Sequence, residues 1–336
     1  MRPSSAVLTD TSVRLWELMF PSDRALLVRT RAAYVHIDHL VTYSKQDRDA
    51  KVHAFLVCYR PDETVLLFFI QGELVNAAVI TPVGRFPVAI SEAMKHIRAE
   101  PERSEIAFHC APEAQLAAMY ATCAQKAEDL GLNPTSPKSV FDNVLARQWT
   151  GLLELISNGR VNYLAVKEGR YASGIFANQK TNEDAKSYLT RMFSGVAPEP
   201  QPKVAVKAFA GLADLPKQAA PALVQVFRAY VWDLVELAER EMPGDAARRA
   251  ERIRVKLTVT HEALMSVGGA RGSSFADPIV SPDALTDGVA VWTKEFLSEL
   301  EVMHPQIAPR LLKEATRESR FQFAALGFLE RLPWHG

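Results

Sequence analysis

Several familiar signatures are missing from this chain of 336 residues. It has no GxxxxGK[ST] phosphate loop, no GxGxxG dinucleotide fingerprint, no GxSxG nucleophile elbow, no HExxH metal pair and no EF-hand loop. No catalytic or metal-binding residue is therefore assigned from sequence, and no cofactor is expected. Net charge is absent too: lysine plus arginine number 39, as do aspartate plus glutamate, so no overall field draws the chain to nucleic acid or an anionic surface. No apolar run is long enough to span a bilayer, and Thr9, Asp10, Thr11 and Arg14 interrupt what would be the core of a secretion signal. Cysteine is scarce. Cys58, Cys110 and Cys123 are odd in number and lack CxxC spacing, which favours buried thiols in a reducing compartment over disulfides or a zinc site. The expectation is a cytoplasmic protein without membrane insertion.

What the chain does have is an internal repeat. At an offset of 97 residues and without a gap, AFLVCYRPDETVLLFFIQGELVNAAV, starting at Ala54, lies over GLLELISNGRVNYLAVKEGRYASGIF, starting at Gly151. Identities are few, but apolar run, polar turn, second apolar run, glycine turn and third strand-like run coincide. The pattern predicts a meander of three antiparallel strands in each copy, turning at Pro61-Asp62 or Asn158-Gly159 and again at Gly72 or Gly169. Helical spacing follows in both copies, over 87–98 and 182–193, and then another strand, over 106–110 and 204–209. Ser139–Arg147 reads as a helix before the second meander, and Ile37, Leu40 and Val41 suggest its counterpart before the first.

Glu113–Leu130 has the pattern of a helix that Gly131 and Pro134 would stop, which marks an internal boundary. From Pro216 onward strand signals cease. Two long helices are expected over 222–242 and 245–267, then a loop, then two further helices ending near Met303 and Leu329. The fold class is thus α+β: a first α/β module with an N-terminal helix (1–130), a second module (131–215) and a helical C-terminal domain (216–336).

Four groups of residues suggest chemistry. His36, Asp38 and His39, with His53, could hold a metal only if 36–39 were helical, and ordinary surface histidines are favoured. His109 and Cys110 are adjacent, so strand alternation sends them to opposite faces and a buried structural thiol is favoured over a reactive couple. The loop from Gly268 to Ser274 offers glycine, serine and Arg271 to an anion, yet it follows a helix and lacks the P-loop lysine. Arg248, Arg249, Arg252, Arg254 and Lys256 fall together in one helix; acidic neighbours and the lack of interleaved aromatics favour a solvated, ion-paired face.

WTGLLELISNGRVNYLAVKEGRYASGIF, which starts at Trp149, resembles the PATAN type of bacterial signalling module, whose copies combine a helix, a first strand containing TG and a hairpin closed by glycine. Thr150-Gly151, Leu153-Glu154-Leu155 and Lys167-Glu168-Gly169-Arg170 carry the likeness. The first copy keeps chiefly Phe68–Val75 and Ala77, with Val52-His53-Ala54 where TG would stand. The resemblance covers about half of the chain, omits the C-terminal helices, and implies a role in protein interaction without catalytic residues.

The functional expectation is a non-enzymatic signalling adaptor or scaffold that binds another protein, with self-association left open. The alternative is a ligand-sensing or catalytic protein with a pocket at the module junction, for which His36, His39, Arg271 and Asp277 are the candidate polar groups. Partner specificity is assigned to the helical C-terminal region from about Pro221, which ends in an aromatic segment, Phe321 to Trp334. On an ideal helix Phe321, Phe323 and Phe328 project at about 0°, 200° and 340°, so Phe323 would oppose the other two. Either that segment is buried on both sides, or Phe321, Phe323, Phe328 and Trp334 present an interaction surface.

Overall fold

The computed structural model describes residues 13–46, 52–180, 182–194, 204–268 and 275–334. It divides into two compact units, one of residues 1–88 and 93–216, the other of 217–336 with 89–92. Arg271 and most of the glycine-serine loop lie outside the described residues.

The first unit holds two antiparallel sheets. In the first copy, helix α1 (Ile37–Gln46) precedes the meander β2 (Ala54–Tyr59), β3 (Thr64–Ile70) and β4 (Glu73–Thr81). Helix α2 (Ile90–Ala99) and strand β6 (Glu105–Cys110) follow, and β6 lies antiparallel beside β2. In the second copy the corresponding elements are α4 (Pro137–Ala146), β7 (Gly151–Ser157), β8 (Arg160–Lys167), β9 (Arg170–Ile175), α5 (Ala185–Ser194) and β10 (Ala205–Phe209), with β10 antiparallel beside β7.

The offset of 97 holds at the level of hydrogen-bond register. Ala54 pairs with Phe69 as Gly151 pairs with Val166, and Phe69 pairs with Leu74 as Val166 pairs with Tyr171. Even the β-bulge is shared: the register slips between Phe68 and Phe69 in one copy and between Ala165 and Val166 in the other. Both second hairpins turn through two residues at positive φ, Gln71 and Gly72 at 51° and 75°, Glu168 and Gly169 at 50° and 76°. That is the signature of the two-residue turn whose twist matches the flanking strands, and glycine adopts it at little cost.

Two strands were not evident from the sequence. β1 (Arg24–Arg31) adds to the outer edge of β6, and β5 (Gly84–Pro87) turns back on the end of β4, giving the orders β1-β6-β2-β3-β4-β5 and β10-β7-β8-β9. Each sheet is apolar on both faces. Leu153, Leu155, Leu164 and Val166 pack with Val140 and Val144 of α4 and Tyr188, Leu189 and Phe193 of α5. Their alternates Leu152, Ile156, Val161 and Tyr163 turn the other way and join Phe55, Leu66 and Phe68 of the first sheet in one core. The two copies thus cover a face of each other.

Helix α3 (Glu113–Ala124) lies in this shared core, and every residue from Gln115 to Cys123 is buried. It ends at Ala124 rather than at Leu130. Gln125 leaves the helix because its carboxamide clasps the Gly211 backbone, donating to the carbonyl at 2.8 Å and accepting from the N–H at 3.0 Å. Glu128 then donates its N–H to Ala208 beside β10, at 2.8 Å. Tertiary partners end this helix before its glycine-proline stop signal is reached.

One charge pair sits in the shared core. Arg85 of β5 reaches Oε1 of Glu154 on β7 at 2.5 Å and the Thr122 hydroxyl of α3 at 3.0 Å. The Glu154 side chain is fully buried and that of Arg85 nearly so. Glu154 Oε2 and the hydroxyl of Tyr163, its cross-strand neighbour, have no hydrogen-bond partner among the described residues. Burial, reinforced by the Glu154 charge, pushes the Tyr163 phenol well up, and the same charge holds Arg85 protonated against its desolvation.

The second unit is helical: α6 (Pro221–Glu241), α7 (Ala246–Leu257), α8 (Pro282–Glu301), α9 (Ile307–Ala315) and α10 (Arg320–Ala325). The helix expected to run to Val267 stops at Leu257 and resumes only as a 3-10 turn over Glu262–Met265. The last expected helix is two short ones, separated by a turn at 316–319. The basic face of α7 is ion-paired, but across helices as well as within one: Arg252 reaches Glu299 and Lys256 reaches Glu295, both on α8.

The aromatic segment departs from the ideal projection. After α10, Gly327 takes the left-handed conformation at φ 64°. Phe328 donates its N–H to the Phe323 carbonyl at 2.9 Å, and Gly327 donates to Ala324 at 3.0 Å. This is the Schellman closure, and it brings Phe328 onto Phe323 with ring centroids 5.0 Å apart. Both rings are fully buried against Phe227 and Tyr230 of α6. Phe323 and Phe328 are therefore core residues, not an interaction surface. Trp334 is half-buried against the same core, and Phe321 alone stands out, at 92% exposure.

Both cores can be tested by substitution. Glu154→Ala leaves the Arg85 charge buried and uncompensated and is expected to cost about 3–5 kcal/mol, whereas Arg85→Met combined with Glu154→Leu recovers most of it, read from urea midpoints. Phe323→Ala and Phe328→Ala each cost about 3–5 kcal/mol, while Phe321→Ala stays within about 0.5 kcal/mol by the same measurement.

Candidate interaction site

The TG pair of the second copy has a local structural use. Thr150 accepts the Glu168 N–H on its hydroxyl at 2.9 Å, and the Trp149 carbonyl accepts the Gly169 N–H at 2.7 Å, so the segment entering β7 ties down the β8–β9 turn. A Cβ on Gly151 would collide with the Trp149 ring and the Phe209 carbonyl, and one on Gly169 with the Leu145 backbone of α4. In the first copy Gly72 likewise donates to Val52, at 3.0 Å. His53 stands where Thr150 does, and its buried Nδ1 has no hydrogen-bond partner among the described residues.

This tie holds the β8–β9 hairpin near α4 and positions an open groove. The groove has a volume of about 650 Å³ and is lined by the first turns of both module helices and by Tyr171 of β9. Its apolar walls are Phe141, Tyr171 and Leu189; Lys138 and Lys186 stand at its rim. The start of α4 is closed by a neutral capping box between Ser136 and Ser139. At α5, Asp184 accepts the Ser187 N–H at 2.6 Å, and that bond holds its carboxyl below the usual range.

Beside the groove, β9 is an edge strand, paired with β8 on one side and with no strand on the other among the described residues. Arg170, Tyr171, Ala172 and Ser173 are all exposed. Their counterparts at the offset of 97 are Glu73, Leu74, Val75 and Asn76, of which the last two are buried. β4 also runs on to Thr81 and pairs with β5 over Ala78–Thr81, whereas β9 stops at Ile175. Sequence reasoning missed this site. The signal was present in the replacement of LVNA by YASG at matched positions, a loss of apolar character that marks a strand without cover.

The residues singled out from sequence do not form one centre. His36 and His39 do meet at the start of α1, with ring centroids 5.1 Å apart, but Asp38 turns to Arg98 at 2.5 Å. No group of three or more His, Cys, Asp or Glu is placed to hold a metal ion among the described residues. Asp277 is occupied within the second unit by Arg228, which bonds it at 2.8 Å and also grips the Ser266, Phe275 and Ala276 carbonyls. The module junction is filled by the shared core and the Arg85–Glu154 pair; His36, His39 and Asp277 are not among the residues that fill it, and Arg271 lies outside the described residues. A second cleft, of about 340 Å³, lies along α6 over Tyr230 and Phe323; its rim charges include Glu236 and Arg240, which pair with each other.

His109 stacks on Phe55 with centroids 5.3 Å apart, and burial lowers its basicity. Cys110 faces Arg24 instead, its sulfur 3.8 Å from the guanidinium. No helix among the described residues is long and apolar enough to cross a membrane. Comparison with protein-family models, curated proteins and solved structures finds no match to this chain.

Burial pushes the Cys58 thiol up to about 12 and the Cys123 thiol up to about 11, so both stay protonated and inert near pH 8. Cys110 is partly exposed. Native protein treated with a thiol-reactive disulfide reagent at that pH should release one equivalent, lost in Cys110→Ser, and unfolded protein should release three.

Proposed function

We propose that this chain is a non-enzymatic adaptor or scaffold of the PATAN-like kind, acting through protein interaction, and that its second module carries the binding surface. The observation that carries the reading is the asymmetry between the copies. They share topology and register, yet the third strand of the first is largely covered while β9 lies open beside an apolar groove. An uncovered edge strand is a template for pairing with another chain, and soluble proteins ordinarily blunt such edges. Thr150 and Gly151 support the family likeness, since their use is to fix the hairpin that presents this edge. In the aromatic C-terminal segment Phe323 and Phe328 are buried and offer no surface to a partner.

Affinity capture of tagged full-length chain from its native cells tests the proposal. A defined protein should be recovered at near-stoichiometric yield, and Ala172→Lys with Ser173→Lys, which places charge on an exposed edge, should reduce its recovery at least about tenfold. Recovery of the chain alone under several growth conditions overturns the reading.

A further inference from the structure

We infer that the helical unit carries a self-complementary face, on which Phe321 of one copy of this chain enters the cleft along α6 of a second copy and receives the second copy's Phe321 in its own. This surface shares no residue with the β9 edge. Phe321 is the knob, 92% exposed although Phe323 and Phe328 beside it are fully buried. Helix α10 is short, and Phe321, Ala324 and Ala325 share one of its faces at spacings of three and four. All three are exposed, so this apolar face is uncovered among the described residues.

The cleft is the hole. Its volume is about 340 Å³, and a cavity of roughly 150 Å³ already admits a benzene ring. Val226, Ala229, Leu237 and Ala315 give it apolar walls, and Ser319, two residues before Phe321, lines it as well. Knob and hole thus draw on one stretch of chain. A twofold axis between them makes the same contact twice and closes the assembly at two copies.

Charge selects this occupant. The cleft is lined by Asp233, Glu236, Glu314 and Glu318 against Arg240 and Arg317. Glu236 and Arg240 pair with each other at 3.2 Å. Even with Asp233 set aside, Glu314 and Glu318 outnumber Arg317. Helix α10 has the opposite sign, since Arg320 precedes Phe321 and no acidic residue lies between Arg320 and Ala325. Entry of Phe321 therefore brings a guanidinium to an acidic rim, where Glu314 and Glu318 are both exposed. An aromatic anchor in a pocket is the usual centre of a binding hot spot.

Sedimentation equilibrium of the full chain from about 1 to about 200 μM tests this. The expected result is a reversible monomer–dimer equilibrium, weakened at least about tenfold by Phe321→Ala and also by Arg320→Glu. Glu314→Arg with Glu318→Arg weakens it likewise, and adding Arg320→Glu to that pair in one chain restores association to within about threefold of the parent. All four positions are exposed, and circular dichroism and urea midpoints of the variants should match the parent. A chain that stays monomeric throughout this range overturns the inference. So does a dimer indifferent to Phe321→Ala, one that the single-sign reversals leave unchanged or the swap fails to restore, or one lost only in Ala172→Lys with Ser173→Lys. A monomer whose recovery of another protein is weakened by Phe321→Ala also overturns it, by giving the cleft or its knob to a different occupant. None of these outcomes touches the adaptor reading, which stands or falls on capture of a partner at the β9 edge.

Discussion

Neither sheet of the first unit can cover both of its faces with its own helices. In the second copy, α4 and α5 occupy one side of β7 and β8, and Leu152, Ile156, Val161 and Tyr163 are left apolar on the other. The first copy has the same problem at Phe55, Leu66 and Phe68, and burial of such faces is the main source of stability. They bury each other around α3, which for that reason is enclosed along nine consecutive residues. The N-terminal stretch joins in: Leu15 and Leu18 are fully buried, Tyr59 bonds the Leu18 carbonyl at 2.8 Å, and Met19 bonds Gly159 at 2.8 Å. Apolar contact alone tolerates sliding. The Arg85–Glu154 pair does not, because any displacement leaves a buried charge without its counterpart.

That mutual coverage takes one face of each copy, and the two differ in what they present outward. The first has β1 and β5 at its two edges, and the second has a shorter third strand with an exposed edge. What both share is the hairpin machinery: positive φ at the paired turn residues, the backbone tie from Val52 or Trp149, and the bulge one step into the third strand. In the second copy the extra residue of the bulge is Ala172, between Tyr171, which pairs with Val166, and Ser173, which pairs with Ala165.

The helical unit has a polar constraint of its own. Arg228 on α6 is buried, and its guanidinium is committed to Asp277 and three backbone carbonyls on either side of the glycine-serine loop. By composition alone that loop could hold an anion. In the fold, its flanks are anchored by an arginine from another element, which is ordinary satisfaction of buried carbonyls. The aromatic segment shows the same logic in apolar form, since Gly327 ends α10 early enough to fold Phe328 back on Phe323.

The strand meanders, their turns and the offset of 97 were legible in the sequence because local chemistry dictates them. β-prone runs, glycine at positive-φ turns and a period of two do not depend on distant residues. The helical C-terminal region was legible for the same reason, through its period of 3.6. Only the tertiary structure decided where helices stop, which apolar faces meet, and which strand remains uncovered. Gln125 ends α3 because Gly211 is there to bond it, and Phe328 is buried because a backbone reversal at Gly327 overrides the ideal projection. The groove at Phe141, Tyr171 and Leu189 draws on three elements separated by up to 48 positions in the chain, so no local pattern could announce it. A one-dimensional signal reports what each residue prefers; a site made from residues far apart exists only once the sheet has brought them together.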